Sequence, residues 1–437
     1  YTPCAGPILA AVITVSAASG QAVAVGLAYA LGTGLMLLAL ALGGRRILDR
    51  LRASGRAAIV QRSLGAVMVI TAIALAAMLD VKLDEWIAQH IPNVNITSFV
   101  DNSGAVSKRL ADVRTHPTKF APVAQSGLPG VTTPSLPVLG AAPAFAGTER
   151  WFNTPGGHAL SIHGLHGRVV LIDFWTYTCI NCIRTLPYLE AWDAKYRKKG
   201  LTIVGVESPE FPFERDASNV LDAIHQFGIH YPVVQDNNLQ TWDVWSNDAW
   251  PADYLVDATG QVRYVAVGEG DYTTTEAAIR ALLARAGAKG LGGGARAHDA
   301  ITPSRLATPE TYLGTERAAG WLVGPKSGTY TYPSPTLPFP VNEFGYGGTW
   351  TIGPQQALAG SHATIDAEVQ AKNVYIVLSP PAHGAGSVAV SVDGHPTRTL
   401  RVTGQRLYTV ASFASDSRHA IQLRFAPGTS GYSFTFG

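Results

Sequence analysis

The chain opens with long apolar runs that suit a bilayer. Residues 1–19, 21–43 and 59–79 are almost uninterrupted apolar stretches, and about 20 such residues cross a membrane as a helix. The stretch 81–92 reads as a short interfacial helix. We therefore predict an α-helical membrane segment over 1–92 with three crossings. The alternative is a buried helical hairpin within a large soluble core.

The loop between the second and third crossings is rich in arginine. Cytoplasmic loops carry an excess of Lys and Arg, so residue 80 onward is expected outside the cytoplasm. The arginines are Arg45, Arg46, Arg50, Arg52 and Arg56. We predict a multi-pass protein of the cell membrane with extracytoplasmic soluble domains. Since neither Met nor a basic region precedes the first apolar run, we also expect the sequence to begin inside a longer membrane protein.

Two soluble regions follow, each introduced by a loop-like stretch. Residues 93–141 are polar and Pro-rich, which predicts a flexible linker. Residues 142–287 alternate strand-like and helix-like patterns, and the VDATGQ turn predicts an antiparallel hairpin. This alternation predicts an α/β fold with a mainly parallel sheet. The Gly-rich residues 288–300 predict a second linker, and the short alternating runs of 301–437 predict an all-β sandwich or jelly roll. The chain is thus predicted to be multidomain.

Composition narrows the possible functions. The formal net charge of +2 over 437 residues gives no electrostatic case for nucleic acid. The hydrophobic content of 47% with 15% charged residues is high for a wholly soluble protein. Three cysteines cannot build a disulfide framework. Two of them lie close together, which points to chemistry rather than scaffolding.

The motif CINC places Cys179 and Cys182 at a predicted strand-to-helix junction. The first sulfur would lie at a helix N-terminus, where free N–H groups favour a thiolate. The second would lie one turn inside, close enough to resolve a mixed disulfide. A CxxC motif that opens a helix within a βαβ pattern indicates a thioredoxin-like redox site.

Other uses of the two cysteines fit less well. Zinc needs two more ligands, for which Cys4 and three histidines on a predicted surface hairpin are the candidates. Haem attachment needs a His directly after the second cysteine, where this chain has Ile183. A purely structural disulfide would close too small a loop to stabilise much. We therefore predict neither a metal nor a cofactor.

The stretch 142–287 resembles a thioredoxin domain of the membrane-tethered TlpA-like type. Asp173 matches the buried carboxylate that relays protons to the resolving cysteine, and Trp175 matches the aromatic residue four positions before the nucleophile. Trp250-Pro251 matches the cis-proline that faces the disulfide and offers backbone to a substrate strand. Pro187 matches the proline that kinks the active-site helix, and on backbone grounds it should break the helix there.

The chain also departs from that pattern. Ile180 and Asn181 stand between the cysteines where thioredoxins have Gly-Pro, and Thr178 replaces the usual tryptophan. These positions tune thiolate stability, so no reduction potential follows from the sequence. Glu207, at the end of a strand, is expected to be a solvated loop carboxylate; the alternative is a second acid near the site.

The opening YTPCAGPIL resembles the Thr-Pro-Cys-x-Gly-Pro signature of the CcdA/DsbD family of transmembrane electron carriers. That resemblance implies that Cys4 takes part in membrane redox transfer, fed by a thioredoxin-like electron donor on the cytoplasmic side. Its partner cysteine would lie in crossings that precede this sequence. The alternative is an inert membrane cysteine. The order of parts along the chain resembles the actinobacterial DipZ family.

Residues 301–437 resemble the carbohydrate-binding-module-like domain of that family. Trp321, Tyr346 and Trp350 offer flat faces that could stack on cell-wall sugars, although aromatic side chains in a β sandwich are more often core. No carboxylate pair here suggests hydrolysis.

The sequence therefore predicts a membrane-tethered thiol–disulfide oxidoreductase that reduces protein disulfides. Cytochrome c biogenesis is the setting that the resemblance implies. Two alternatives stay open: a disulfide-forming or peroxide-reducing enzyme that does not use Cys4, and a sugar-binding wall protein with a scaffold thioredoxin unit.

Overall fold

A computed structural model gives the fold of the two soluble regions. It describes residue 120, residues 136–297, residue 303, residues 307–335 and residues 338–437. The predicted crossings, the arginine loop and Cys4 lie outside these described residues. No helix within the described ranges has the length and apolar character needed to cross a membrane.

The first region is built on a seven-stranded sheet in the order β1-β7-β6-β3-β4-β5-β2. Its strands are β1 Gly140–Ala141, β2 Trp151–Phe152, β3 Val169–Trp175, β4 Leu201–Glu207, β5 Val233–Gln235, β6 Ala252–Val256 and β7 Gln261–Val267. Only β3–β4 and β4–β5 pair in parallel. The α/β prediction is confirmed, as is the β6–β7 hairpin. The prediction of a mainly parallel sheet is wrong, because β6, β7 and two short flanking strands add antiparallel edges.

Helices cover the sheet. They are α1 Ile180–Tyr196, α2 Ala217–Phe227, α3 Gln240–Val244 and α4 Tyr272–Arg285, with 3-10 turns at Pro155–Gly157, His163–Leu165, Arg197–Lys199 and Pro212–Arg215. The central strand β3 is buried along its whole length, as expected of a strand that is covered on both faces. α1 runs through Pro187 without a break, so the expected break there is wrong.

Parts of both predicted linkers are folded against the α/β region. Leu136 is buried in the core, and Gly140–Ala141 pairs with β7. On the other side, Arg280 donates to the carbonyl of Gly292, and Ala295 donates its N–H to the carboxylate of Glu276, each at 2.5 Å. The linker predictions are therefore wrong for residues 136–141 and 288–297, because apolar contacts and backbone hydrogen bonds tie them down.

The second region is β-rich, as predicted. Its strands are β8 Thr311–Tyr312, β9 Gly328–Tyr332, β10 Glu343–Ile352, β11 Ala357–Ala359, β12 Thr364–Ser379, β13 Gly386–Val392, β14 His395–Val402, β15 Arg406–Phe425 and β16 Ser430–Phe436. They form one antiparallel sheet in the order β14-β13-β15-β12-β10-β11-β16-β8, with β9 on β10. The long strand β12 also pairs with β16. The sheet thus closes on itself around an apolar interior.

The two regions pack directly on each other. The ring of Tyr432 from β16 lies 5.2 Å from that of Phe211 and 4.9 Å from that of Phe213, between centroids. Nearby, Tyr312 and Arg317 of the β region both donate to Oε1 of Glu210, at 2.8 and 2.7 Å. The segment that carries these three acidic and aromatic residues follows β4, and it therefore links the β region to the neighbourhood of the cysteines.

Candidate functional site

The two cysteines lie where the central strand turns into the first helix. β3 ends at Trp175, and Cys179 caps α1, which begins at Ile180. The backbone N–H of Cys182 donates to Sγ of Cys179 at 3.2 Å. Cys179 is half-buried, whereas Cys182 is 1% exposed. Both thiols are free, and only the first can meet a partner from solution without rearrangement.

The buried thiol is hard to ionise. Burial raises the pKa of Cys182, and the neighbouring Cys179 and Asp173 raise it further. A hydrogen bond with the backbone at Thr176 lowers the pKa of Cys182, by less than burial and Cys179 raise it. Because a thiolate is the attacking species in disulfide exchange, Cys182 needs a nearby group to take its proton.

Asp173 is a buried carboxyl on β3. It is 1% exposed, and neither carboxyl oxygen has a hydrogen-bond partner within the described part of the chain. Burial raises its pKa well above the usual value, and the charge of Asp253 raises it further. Asp253 lies directly opposite on β6. Sequence reasoning missed Asp253, although it stands two positions after Pro251 in a predicted strand.

Trp175 is wholly buried and packs in the core beneath α1. Its indole lies against β4 at Gly205, where a Cβ would come within 2.9 Å of Nε1. The absence of a side chain at residue 205 therefore makes room for the tryptophan. Trp175 therefore packs beneath the cysteine motif and is not exposed at its surface.

The cis bond predicted at Trp250-Pro251 is confirmed. The Pro251 carbonyl accepts from the N–H of Gly268 at 2.8 Å. The Trp250 side chain is half-buried; its Nε1 donates to the carbonyl of Ser208 at 2.9 Å, and its ring lies 4.3 Å from that of Trp242. The role of Trp250 and Pro251 in holding a substrate stays a prediction.

Two buried glutamates support the loop before the cysteines. Thr178 Oγ1 donates to Oε1 of Glu214 at 2.5 Å, and Thr176 Oγ1 donates to Oε1 of Glu207 at 3.4 Å. Both carboxyls are fully buried. Burial raises the pKa of Glu214 to about 7, with a further contribution from Glu210. Burial likewise raises the pKa of Glu207.

The expectation of a solvated Glu207 is thus wrong. The residue ends β4 in register with Trp175, inside the sheet, and the segment after it folds back over the strand ends. Glu214 was missed because its partner Thr178 lies 36 positions earlier. The available signal was the pair of threonines in TYTCINC, whose hydroxyl groups need acceptors once they are buried.

An ion pair ties the cysteine motif to the loop after β7. Arg184 donates through Nε and NH2 to the two oxygens of Glu269, at 2.7 and 2.6 Å. The same NH2 group donates to Oδ1 of Asn181 at 2.8 Å. Asn181 lies between the cysteines, so this network orients the motif from outside the sheet.

A cleft of about 390 Å³ opens beside the cysteine motif, between the two regions. Ile180 and Ile183 of α1 and Phe227 of α2 line one side, and Gln405 and Leu407 line the other. No group of three or more His, Cys, Asp or Glu residues that could hold a metal occurs among residues with described positions.

The three aromatic residues expected to bind sugar do not form an exposed platform. Trp350 is 0% exposed and Tyr346 is 4% exposed. They share the inward face of β10 because alternate positions of a strand face the same way. Trp321 is half-buried, and its ring stacks on Tyr346 with centroids 4.0 Å apart. The prediction of a stacking surface is therefore wrong for Tyr346 and Trp350, which are core residues.

Comparisons with known proteins find matches to both soluble regions. The family model described as Redoxin matches residues 140–283, and the one described as Thioredoxin like C-terminal domain matches residues 308–437. Protein DipZ of Mycobacterium tuberculosis is 34% identical over 461 residues, which cover 100% of this chain and 63% of that protein. The chain thus spans less than two thirds of the length of DipZ.

Shorter relatives match the first soluble region alone. Thiol-disulfide oxidoreductase YkuV of Bacillus subtilis is 25% identical, covering 32% of this chain and 93% of that protein. Thiol-disulfide oxidoreductase ResA of Bacillus thuringiensis is 26% identical, covering 26% of this chain and 62% of that protein. This chain is therefore homologous to DipZ along its whole length, and its first soluble region is similar to thioredoxin-like thiol–disulfide oxidoreductases.

Proposed function

We propose that this chain is part of a membrane-tethered oxidoreductase that reduces protein disulfides outside the cytoplasm. The observation that carries the proposal is the pairing of a half-buried helix-capping Cys179 with a buried Cys182 whose N–H lies 3.2 Å from the first sulfur. An accessible nucleophile with a protected resolving thiol behind it is the arrangement that two-step disulfide exchange requires.

The reaction proceeds in two exchanges. The Cys179 thiolate attacks one sulfur of the substrate disulfide, and the first substrate thiolate leaves with the electron pair of the broken S–S bond. The Cys182 thiolate then attacks Cys179, which releases the second substrate thiolate and leaves a Cys179–Cys182 disulfide. Two electrons pass from the dithiol to the substrate, and the two leaving thiolates take up the protons that the enzyme thiols gave.

The reductive direction and the membrane route are supported by the sequence. The apolar runs of residues 1–92 and the YTPCAGP motif suit an electron path that ends at Cys4 and regenerates the dithiol. The homology to DipZ extends over these residues. In this proposal a thioredoxin-like donor on the cytoplasmic side supplies the electrons, and cytochrome c maturation is one process that would consume them.

The cleft beside Ile180 and Ile183 is the proposed seat of the substrate polypeptide. Ile180 and Ile183 of α1 line it with apolar side chains, α2 adds Phe227 together with the polar Asn219, Asp222 and Gln226, and Ile180 directly follows the half-buried Cys179. The opposite wall comes from the β region, with Asn219 Nδ2 bonded to Oε1 of Gln405 at 2.9 Å across the boundary. The β region would thus contribute to substrate selection and not to sugar binding.

A trapping experiment tests the proposal. In the Cys182→Ser variant of the full-length protein the resolving thiol is gone, so a mixed disulfide on Cys179 should persist after acid quenching. The matched control is Cys179→Ser, which should trap nothing. Capture of extracytoplasmic protein partners by Cys179 supports a disulfide reductase, and the absence of any mixed disulfide overturns it.

The same gel tests the role of Cys4. A Cys179–Cys4 linkage identified by mass spectrometry supports the electron path from the membrane. Full reductase activity in cells that carry Cys4→Ser would overturn that path and favour an enzyme that does not use Cys4.

A further inference from the structure

Resolution of the mixed disulfide by Cys182 requires a group that takes the proton of its thiol. The inference about that group rests on the proposed function. Cys182 is buried and its pKa is raised, so its proton must be taken up inside the protein before the sulfur can attack Cys179. A single buried carboxyl is a poor proton acceptor at neutral pH if its own ionised form is disfavoured by desolvation.

Two carboxyls lie together under α1. Asp173 on β3 and Asp253 on β6 are direct partners in an antiparallel ladder, which places their Cβ atoms about 4.5–5.5 Å apart on one face of the sheet. The next pair on that face is Leu171 and Leu255. Both leucines belong to the core cluster that contains Cys182, so the two carboxyls lie on the face that the resolving thiol covers.

The pair is shielded from water and poorly partnered. Asp173 is 1% exposed and Asp253 is 7% exposed. Both oxygens of Asp173 and Oδ1 of Asp253 lack a hydrogen-bond partner in the described residues. Two negative charges at this separation, away from solvent, repel strongly, so such a pair holds one proton between its oxygens over a broad pH range.

Among residues with described positions, the groups that face the pair bring no positive charge. Cys182 and Cys179 approach from α1. Burial raises the pKa of the Tyr231 hydroxyl, and the charge of Asp173 raises it further. The neighbouring strands contribute Gly205 on β4 and Ala266 on β7.

Two further groups lie beyond this shell. Tyr264 of β7 stands opposite Leu255, and its hydroxyl contacts Thr275 of α4. Burial raises the pKa values of both Asp173 and Asp253, and the charge of Asp253 adds to the effect on Asp173.

We propose that Asp253 is a positioning residue that shares one proton with Asp173, and that this carboxyl pair takes the Cys182 proton during resolution. The proton moves from Cys182 Sγ to the singly ionised pair. The thiolate then forms the Cys179–Cys182 bond, and the bond from Cys179 to the substrate breaks. The substrate thiolate leaves with the electron pair, and the neutral pair returns its proton to that thiolate or to water.

The test follows the two exchanges separately. The full-length protein, with Cys4→Ser in every form, is reduced and mixed with the aromatic disulfide dithiobis(nitrobenzoate), which releases a coloured thiol at each step. The first release reports attack by Cys179, and the second reports resolution by Cys182. Rates are measured against pH for the parent, for Asp253→Asn and for the matched control Asp366→Asn, a buried carboxyl of the β region.

The expected result is a change in the second release alone. A carboxyl pair loses its first proton more readily than a lone buried carboxyl, because the remaining proton bridges the two groups. In Asp253→Asn the acid limb of the second rate should therefore move to higher pH by about one unit or more, which slows resolution about tenfold on that limb. Asp366→Asn should leave both profiles unchanged.

Other outcomes distinguish failure of the shared-proton proposal from failure of the proposed oxidoreductase function. A second-release profile in Asp253→Asn that superimposes on the parent overturns the shared proton while leaving the oxidoreductase intact. The absence of the first release in the parent overturns the proposed function itself. Should Asp253→Asn fail to fold, carboxyl ¹³C NMR of the reduced parent decides the matter: two coupled titrations at Asp173 and Asp253 support the pair, and independent single titrations in the ordinary aspartate range overturn it.

Discussion

Thr178 donates a 2.5 Å hydrogen bond to Glu214, which ties the residue before Cys179 to a carboxyl 36 positions later. The other oxygen of Glu214 accepts from the backbone N–H groups of Glu210 and Phe211, at 2.6 and 2.8 Å. Phe211 in turn packs against the β region. The buried Glu214 carboxyl therefore joins the loop just before Cys179 to the segment that contacts the second region.

Glu214 should make the stability of the protein depend on pH. Burial raises its pKa from an ordinary value of 4.5 to about 7 in the folded state, so folding is favoured by the protonated form. This contribution is complete below about pH 4.5 and is lost as the pH rises through about 7. In the parent, this carboxyl should lower the free energy of unfolding by on the order of 3 kcal/mol over that window. Glu214→Gln should remove this part of the decline, as measured by urea unfolding at several pH values.

The control for this variant is Glu316→Gln, which changes an exposed carboxyl. It should keep the pH dependence of the parent. An unchanged slope in Glu214→Gln would show that the Glu214 carboxyl is ionised to the same extent in the folded and unfolded chains.

Gly205 should resist substitution because it faces the buried tryptophan. A Cβ at this position would lie 2.9 Å from Nε1 of Trp175 and 3.3 Å from a ring carbon of Tyr231. Gly205→Ala should lower the free energy of unfolding by about 1–3 kcal/mol, the usual cost of overpacking a core. Gly324→Ala, where no atom lies within 4 Å, is the matched control. Equal stability of the two variants would contradict the close packing.

Tyr432 should hold the β region against the first soluble region. Its buried ring contacts Phe211 and Phe213, so Tyr432→Ala should lower the free energy of unfolding by about 3–5 kcal/mol, as for other large aromatic deletions. It should also slow the reaction of Cys179 with an aromatic disulfide. The reason is that Phe211 donates its N–H to Glu214, and Glu214 accepts from Thr178, the residue before Cys179. Tyr330→Ala removes a ring that is 43% exposed and should change neither quantity.

Trp350 should matter for stability and not for sugar binding. The side chain is fully buried, with Nε1 bonded to the Gly347 carbonyl at 2.9 Å. Trp350→Ala should cost about 3–5 kcal/mol, and Trp321→Ala should cost less because that ring is half-buried. Retention on insoluble glycans, measured beside unfolding curves, checks the assignment. A Trp350→Ala protein of unchanged stability that has lost glycan retention would contradict it.

The redox motif could be predicted from the sequence because its geometry is local. A strand that ends near Trp175 and a helix that begins at Ile180 leave Cys179 at the cap and Cys182 one turn inside, whatever the rest of the chain does. The strand and helix patterns of the first region, and the β-rich pattern of the second, depend likewise on short-range periodicity.

Tertiary structure decided which distant side chains share the site. Asp253 joins Asp173 only because β6 pairs with β3 in one register, and a shift by one residue would turn its carboxyl to the other face. From the sequence, Glu207 was expected to be solvated and Glu214 was missed, because only the fold of the segment after β4 buries both carboxyls. The alternating pattern of β10 likewise did not reveal that the sheet closes on itself and buries Trp350. The sequence by itself therefore determined the dithiol and its helix, whose spacing is set by neighbouring residues, while long-range packing alone decided the buried carboxyls and the contact with the β region.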